Sequence, residues 1–263
     1  MSRFSLQGRT ALVTGGARGV GLAFAKGLAE AGADVAIFDV IEPQPGFLAI
    51  EKDCGVKTAY YKVDVGSPDS LSSGFAQFQT DFNNRLDICV PCAGINRQRP
   101  FLDFDYKDHQ DLLSINVLGL YATAQHTARQ MIANGTTHGS IILVASMGSY
   151  VAMRDQYCSA YCGTKGAVKA MCPAIAKELA QYGIRVNSIS PGYVRTEMTA
   201  VFGEMLDKWK SETMNGRIAE PEEMAGTCVF LASDASSYMT GQDILVDGGC
   251  ATVSGSYRPA LPN

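Results

Sequence analysis

TALVTGGARGVGLAFAKGLAEAGADVAIFD, residues 10–39, is the stretch that decides the fold. Thr10–Val13 is a short apolar strand, and an alanine-rich helix, Leu22–Ala31, follows it across a glycine-rich turn. Asp34–Phe38 is a second strand, so the segment closes a β–α–β unit. Gly15, Gly19 and Gly21 are spaced G-x-x-x-G-x-G, with Arg18 and Val20 between them. Glycines there allow positive φ and let backbone N–H groups approach a pyrophosphate at a helix N-terminus. Asp39 ends the second strand, 18 residues after the last of these glycines. A carboxylate at that place suits the hydroxyls of an adenosine ribose and repels a 2′-phosphate, which favours NAD(H). Arg18 pulls the other way, because its guanidinium could meet such a phosphate and keeps NADP(H) possible.

Outward from this unit the same alternation continues. A turn-rich break, Ile41–Gly46, precedes a helix over Phe47–Cys54. The third strand, Lys57–Val63, runs into Asp64 and Val65, from which a side chain could reach an adenine edge. Ser67 and Pro68 open a helix over Asp69–Asn83 in N-cap and N1 style. Leu86–Pro91 is the fourth strand, followed by Cys92, Ala93 and Gly94 and then by a loop, Ile95–Pro100. Asp108–Met131 reads as one long helix with Asn116 at its middle, where an asparagine needs a polar partner or a task. Beyond the central segment come a strand, Ile184–Ser190, and the turn Pro191-Gly192-Tyr193-Val194-Arg195-Thr196. A variable region, Glu197–Gly216, holds the only tryptophan, Trp209; a helix, Glu220–Leu231, and a last strand, Gln242–Val246, complete the pattern. Strands alternating with helices predict an α/β fold, a doubly wound parallel sheet with helices on both faces, in a single domain over residues 1–263.

The central segment, Gly139–Lys169, joins a buried strand, Ile141–Ala145, to a loop starting at Ser146 and a helix carrying Tyr161 and Lys165. Residues four apart on a helix share a face, so phenol and ammonium point into one cleft, with Ser146 arriving from the strand end. A nearby positive charge favours the phenolate, which makes the pair a proton-transfer device. An amphipathic helix with a surface lysine carries the same spacing, so the neighbouring motifs decide.

Charged residues make up 18% of the chain and the net charge is −4, which argues against a nucleic-acid or anionic-membrane surface. No apolar run approaches a membrane span, and no leader-like apolar segment opens the chain, so a cytoplasmic location is expected. Of eight cysteines, Cys89, Cys158, Cys162, Cys172 and Cys228 sit in apolar or helical stretches and are expected to be buried thiols. None of the three histidines has zinc-ligand spacing to a cysteine, so no metal is expected, and no redox role for the thiols.

Taken together, TGGARGVG at 14–21, Asp39, Asp64-Val65, Cys92-Ala93-Gly94, Asn116, Ser146, YCGTK at 161–165, PGYVRT at 191–196 and VDGG at 246–249 resemble the short-chain dehydrogenase/reductase family over about residues 8–252. The resemblance implies a Rossmann fold and an NAD(P)-dependent interconversion of a secondary alcohol and a ketone. It implies Tyr161 as acid/base and Lys165 as the group that lowers the phenol pKa and binds the nicotinamide ribose. Ser146 would hold the substrate oxygen, and Asn116 would anchor a water leading from Lys165 to solvent, unless it only stabilises a helix bend. Pro191, Gly192, Val194 and Thr196 resemble the family's nicotinamide-side group. Homodimers or homotetramers through the helices at 108–131 and 159–182 are implied as well. Two departures stand out. Cys92 replaces the family's usual asparagine, which should alter packing more than chemistry. Ser146 lies fifteen residues before Tyr161, where thirteen is common; Gly148 stands at thirteen and Ser149 at twelve. The longer loop and the A-S-M motif resemble fungal-type ketose reductases and polyol dehydrogenases, which points to Ser146 with Ser149 as the alternative.

Residues 96–99 and 147–156, Tyr193 and the variable region around 201–214 are candidate walls of a substrate pocket, mixing polar Arg97, Arg154, Asp155 and Gln156 with apolar Met147, Met153, Tyr193 and Met198. They suit a ketose or polyol if the charged groups face inward, and a larger cyclic or natural-product ketone if the apolar ones dominate. A cofactor-binding member without redox work, serving as a scaffold or regulator, is the reading from another class. The tail, Ser254–Asn263, has no periodicity and would either lie over a neighbouring subunit or stay unstructured.

Overall fold

The first strand, β1 (Thr10–Thr14), is the centre of the molecule because apolar side chains cover both its faces: every residue in it is buried. Six more strands flank it in the computed structural model, which describes residues 2–200 and 202–252. They are β2 (Asp34–Asp39), β3 (Thr58–Lys62), β4 (Ile88–Pro91), β5 (Ser140–Val144), β6 (Arg185–Pro191) and β7 (Asp243–Val246). All are parallel, in the order β3-β2-β1-β4-β5-β6-β7. Parallel neighbours need crossover connections, and helices supply them. These are α1 (Gly19–Glu30), α2 (Pro45–Cys54), α3 (Pro68–Asp81), α4 (Tyr106–Leu113), α5 (Leu120–Ala133), α6 (Ser159–Leu179), α7 (Glu197–Ala200), α8 (Met205–Lys210) and α9 (Ala225–Ala232). Two apolar cores result, one on each face. Phe38, Phe78, Leu120 and Val168 belong to the first, and Phe24, Leu28, Ile37 and Leu231 to the second.

The strand order reverses beside β1, between β2 and β4. A doubly wound sheet opens a crevice at the carboxyl ends of its strands at such a switch point. The glycine turn after β1 and Cys92-Ala93-Gly94 after β4 both border that crevice. Thr14 joins them: its hydroxyl oxygen accepts from the Cys92 and Ala93 N–H groups, each at 3.1 Å.

The strands fall within two residues of their expected positions, but the helix expected over Asp108–Met131 is not α-helical throughout. It is α4, a π-helical segment at Ser114–Gly119, and α5. Two contacts hold the wider turn. Asn116 turns sideways to bond the Ile95 backbone, and Gly119 approaches β3's exit so closely that a Cβ there would stand 2.7 Å from the Val65 carbonyl oxygen. The helix expected from Glu220 begins as a 3₁₀ turn, Pro221–Met224, before α9. The tail at 254–263 and Val201 of the variable region lie outside the described residues.

Candidate active site

The glycine loop folds as its spacing dictates. Gly19 takes φ +56° as α1 begins, and a Cβ on Gly21 would stand 2.0 Å from the Gly15 carbonyl oxygen. The first-turn amides of α1, at Gly19, Val20 and Gly21, have no acceptor within the helix and face the crevice, which suits a pyrophosphate. Asp39 is held beside them: its carboxylate accepts from the N–H groups of Ala17 (3.0 Å), Val40 (2.8 Å) and Ile41 (3.3 Å). The fixed carboxylate and the small-residue loop fit an adenine dinucleotide.

A cleft of about 340 Å³ runs from this loop to the end of β5. Gly15, Arg18, Gly19, Val20, Gly21, Asp39, Asp64, Val65, Cys92, Ala93, Gly94, Pro191, Gly192, Val194 and Thr196 line it, as do Ser146, Tyr161 and Lys165. Asn116 lies behind the wall, fully buried. Its Oδ1 accepts from the Ile95 N–H (2.8 Å), and its Nδ2 donates to the Ile95 carbonyl (2.9 Å) and to Thr164 Oγ1 (3.1 Å).

At the catalytic end Lys165 is 4% exposed and its Nζ donates to the Val144 carbonyl (2.7 Å). Burial pushes its pKa down to about 8, with the neighbouring Cys92 working against the shift. Burial also pushes Tyr161 up to about 12, while the facing Ser146 hydroxyl pulls it down. Lys165 Nζ lies 5.9 Å from the centroid of the Tyr161 ring. Cys92, in the same surroundings, is pushed up to about 11, so it is a neutral thiol near neutral pH.

Ser146 Oγ accepts from the Gly148 N–H (3.1 Å) and lies in the cleft, whereas Ser149 Oγ is buried without a partner and does not line it. The substrate side is walled by Asn96, Met147, Met153, Gln156, Tyr193, Met198, Phe202 and Trp209. Arg154 and Asp155 are exposed and lie outside the lining, as a solvated loop tip does. Arg97 and Arg99 are exposed too, and both pair with Asp108 (3.5 and 3.0 Å).

Tyr193, Gln156 and the region around 201–214 were expected walls, but the contacts that join them, and Thr199, had no distinct signal in the sequence. Trp209, 1% exposed, stacks on Tyr193 with ring centroids 4.4 Å apart. The Tyr193 hydroxyl donates to Glu212 (3.0 Å) and accepts from Gln156 (3.4 Å), whose own oxygen accepts from Gln98 (3.3 Å). Thr199 caps the turn after β6, donating to the Val194 carbonyl (2.8 Å) and accepting from the Thr196 N–H (2.9 Å). A lone tryptophan in a variable region was the only available hint. The cysteine reading needs one correction: Cys89, Cys158, Cys172 and Cys228 are buried, but Cys162 is only half-buried.

A dinucleotide crevice at the switch point, with tyrosine, lysine and serine at its far end, defines an oxidoreductase-type site. Comparison with known proteins agrees. The family model described as enoyl-(acyl carrier protein) reductase matches residues 15–251. Gluconate 5-dehydrogenase of Gluconobacter oxydans (strain 621H) is 39% identical over 254 residues, covering 94% of this chain and 96% of the relative. Sorbose reductase sou1 of Schizosaccharomyces pombe is 38% identical, covering 94% and 98%. The crystal structure of a gluconate 5-dehydrogenase from Burkholderia cenocepacia J2315 in complex with NADP and tartrate superposes with a TM-score of 0.88. It is 37% identical, with 96% of this chain and 98% of that one covered. The chain belongs to the short-chain dehydrogenase/reductase family and is an NAD(P)-dependent oxidoreductase acting on CH–OH groups.

Proposed function

We propose that the protein interconverts a secondary alcohol and a ketone on a polyhydroxylated substrate, a polyol, ketose or sugar acid, with NAD(H) as the favoured cofactor. The observation that carries this reading is the convergence of Ser146, Tyr161 and Lys165 on the cleft that begins at the glycine loop. A nicotinamide dinucleotide bound there supplies or accepts the hydride. In the reductive direction the Tyr161 hydroxyl gives its proton to the carbonyl oxygen, and in the oxidative direction the phenolate takes the alcohol proton. Ser146 Oγ donates to the same oxygen, where charge develops. Lys165 is the cationic neighbour of the phenol, its Nζ 5.9 Å from the ring centroid. Asn116 fixes the Ile95–Asn96 wall by clamping the Ile95 backbone. The names of the gluconate- and sorbose-acting relatives support the substrate class, as does the linked row Gln98–Gln156–Tyr193–Glu212 along the wall.

The apolar share of that wall, Met147, Met153, Phe202 and Trp209, favours a second substrate reading, a larger cyclic or natural-product ketone. A spectrophotometric screen at 340 nm with polyols, ketoses, sugar acids and cyclic ketones, against both cofactors, separates the two. Turnover confined to the cyclic ketones would replace the first reading with the second.

A homodimer or homotetramer completes the proposal. Leu113, Leu118 and Tyr121 expose apolar surface along α4, the π segment and α5, and Tyr182 does so beyond the end of α6. Light scattering of the purified protein tests it, and a monomeric mass would reject it. A cytoplasmic location fits this reading: among the described residues no helix is long and apolar enough to cross a membrane.

A further inference from the structure

Cys158 is the N-cap of α6 and Cys162 lies in its first turn, on either side of Tyr161. The Cys162 N–H donates to the Cys158 carbonyl (2.9 Å), which sets the two residues one above the other, and their sulfurs are 3.7 Å apart. Among the described residues no other pair of sulfurs makes such a contact. Cys158 is 3% exposed, whereas Cys162 is half-buried and reachable. The other side of Cys162 rests on the serine loop. A Cβ on Gly148 would stand 3.2 Å from the Cys162 sulfur, 3.4 Å from Met153 Cε and 3.5 Å from Ser146 Oγ. The dithiol is therefore wedged between the helix turn that carries Tyr161 and the turn that carries Ser146.

We propose that Cys158 and Cys162 form a redox modification site, closing to an intrachain disulfide under hydrogen peroxide and thereby displacing Tyr161 from Ser146. The roles divide by environment. Cys162 is the more exposed of the two, and the contact between the sulfurs holds its thiol below the ordinary range while burial helps push that of Cys158 up. Cys162 is thus the attacking thiolate and Cys158 the resolving thiol. The Cys162 sulfur attacks one peroxide oxygen, the O–O bond breaks, and the departing hydroxide takes up a proton to leave as water. This oxidises Cys162 to a sulfenic acid. Cys158 then gives up its proton, its sulfur attacks the Cys162 sulfur, and the S–O bond breaks to release the second water. Two thiols and one peroxide give one disulfide and two waters.

The geometry explains why closure reaches the active site. A disulfide sets its sulfurs about 2.05 Å apart and its Cβ atoms about 3.8 Å apart, against roughly 5–6 Å for Cβ atoms one helical turn apart. The first turn of α6 must tighten to close that gap, and Tyr161 is inside the closed loop.

The test treats the reduced full-length protein with a few equivalents of hydrogen peroxide, then blocks free thiols with N-ethylmaleimide and digests with trypsin. Both cysteines fall in one peptide, Asp155–Lys165 (DQYCSAYCGTK). The expected product is this peptide about 2 Da below its reduced mass and without maleimide, reversed by dithiothreitol. Turnover should fall at least tenfold in step with disulfide and recover with it. Cys162→Ser should resist peroxide, and Cys158→Ser should stop at a sulfenic acid that dimedone traps. Peptide mass and hydrogen exchange across residues 159–165 need no substrate, so failure of the substrate reading leaves them interpretable. Recovery of both thiols as maleimide adducts after peroxide would overturn the proposal. So would a formed disulfide that leaves exchange at 159–165 and turnover unchanged.

Discussion

Replacing Asn116 by alanine tests the link between the π-helical segment and the cleft wall. The side chain makes three hydrogen bonds, two to the Ile95 backbone and one to Thr164, from a fully buried position. Each is worth roughly 1 kcal/mol net, and an orphaned partner costs more where water cannot reach it. Ile95 is half-buried, so its freed groups regain part of their hydration. The sum is about 3 kcal/mol, or roughly 150-fold in the folding equilibrium. Urea unfolding at fixed protein concentration measures that loss, and hydrogen exchange at the Ile95 amide locates it. The substrate KM should rise with the loosened Ile95–Asn96 wall while cofactor affinity stays within about twofold, because Asn116 touches neither the glycine loop nor Asp39. Destabilisation below about 1 kcal/mol with the Ile95 amide still protected would refute the clamp.

Ser146→Ala should cost about 10²-fold in kcat, as for loss of one oxyanion donor. It should also move the rise of alcohol oxidation to higher pH: the hydroxyl lowers the Tyr161 pKa, so its loss raises the pH at which the phenolate base forms. Ser149→Ala should leave both within about twofold, and the reverse pattern in a kcat/KM pH profile would move the assignment to Ser149. NADH should bind at least about tenfold more tightly than NADPH, and Asp39→Ser should narrow that ratio by removing the carboxylate beside the ribose. Tighter NADPH binding by the unchanged protein, read by fluorescence titration, would favour Arg18 over Asp39. Gly21→Ala places a Cβ 2.0 Å from the Gly15 carbonyl oxygen and should abolish measurable cofactor binding, with Tm reporting any wider damage.

Much of the fold was legible because parallel strands buried on both faces read as short apolar runs, and the glycine loop and Asp39 are fixed by local spacing. Ser146, Tyr161 and Lys165 were legible for a similar reason: a strand end and one helix face bring them together. The π-helical segment of the long helix was not. A π turn around Asn116 depends on the Ile95 backbone, twenty-one residues away in sequence, and on the close approach of Gly119 to Val65. The region around Trp209 and Glu212 was an expected wall, but its contacts with Tyr193, and that of Thr199 with Val194, escaped because they cross a region with no periodicity. The half-exposure of Cys162 beside a buried Cys158 escaped as well, because burial has no local pattern.

The central claim is that Tyr161 handles the proton of the reacting oxygen in a cleft that binds nicotinamide dinucleotide. The most direct measurement compares Tyr161→Phe with the unchanged protein, following absorbance at 340 nm with the best substrate from the screen and titrating cofactor separately. The account predicts turnover reduced by at least about 10³-fold with the cofactor dissociation constant within about threefold. A Tyr161→Phe protein that turns over at the full rate would contradict it.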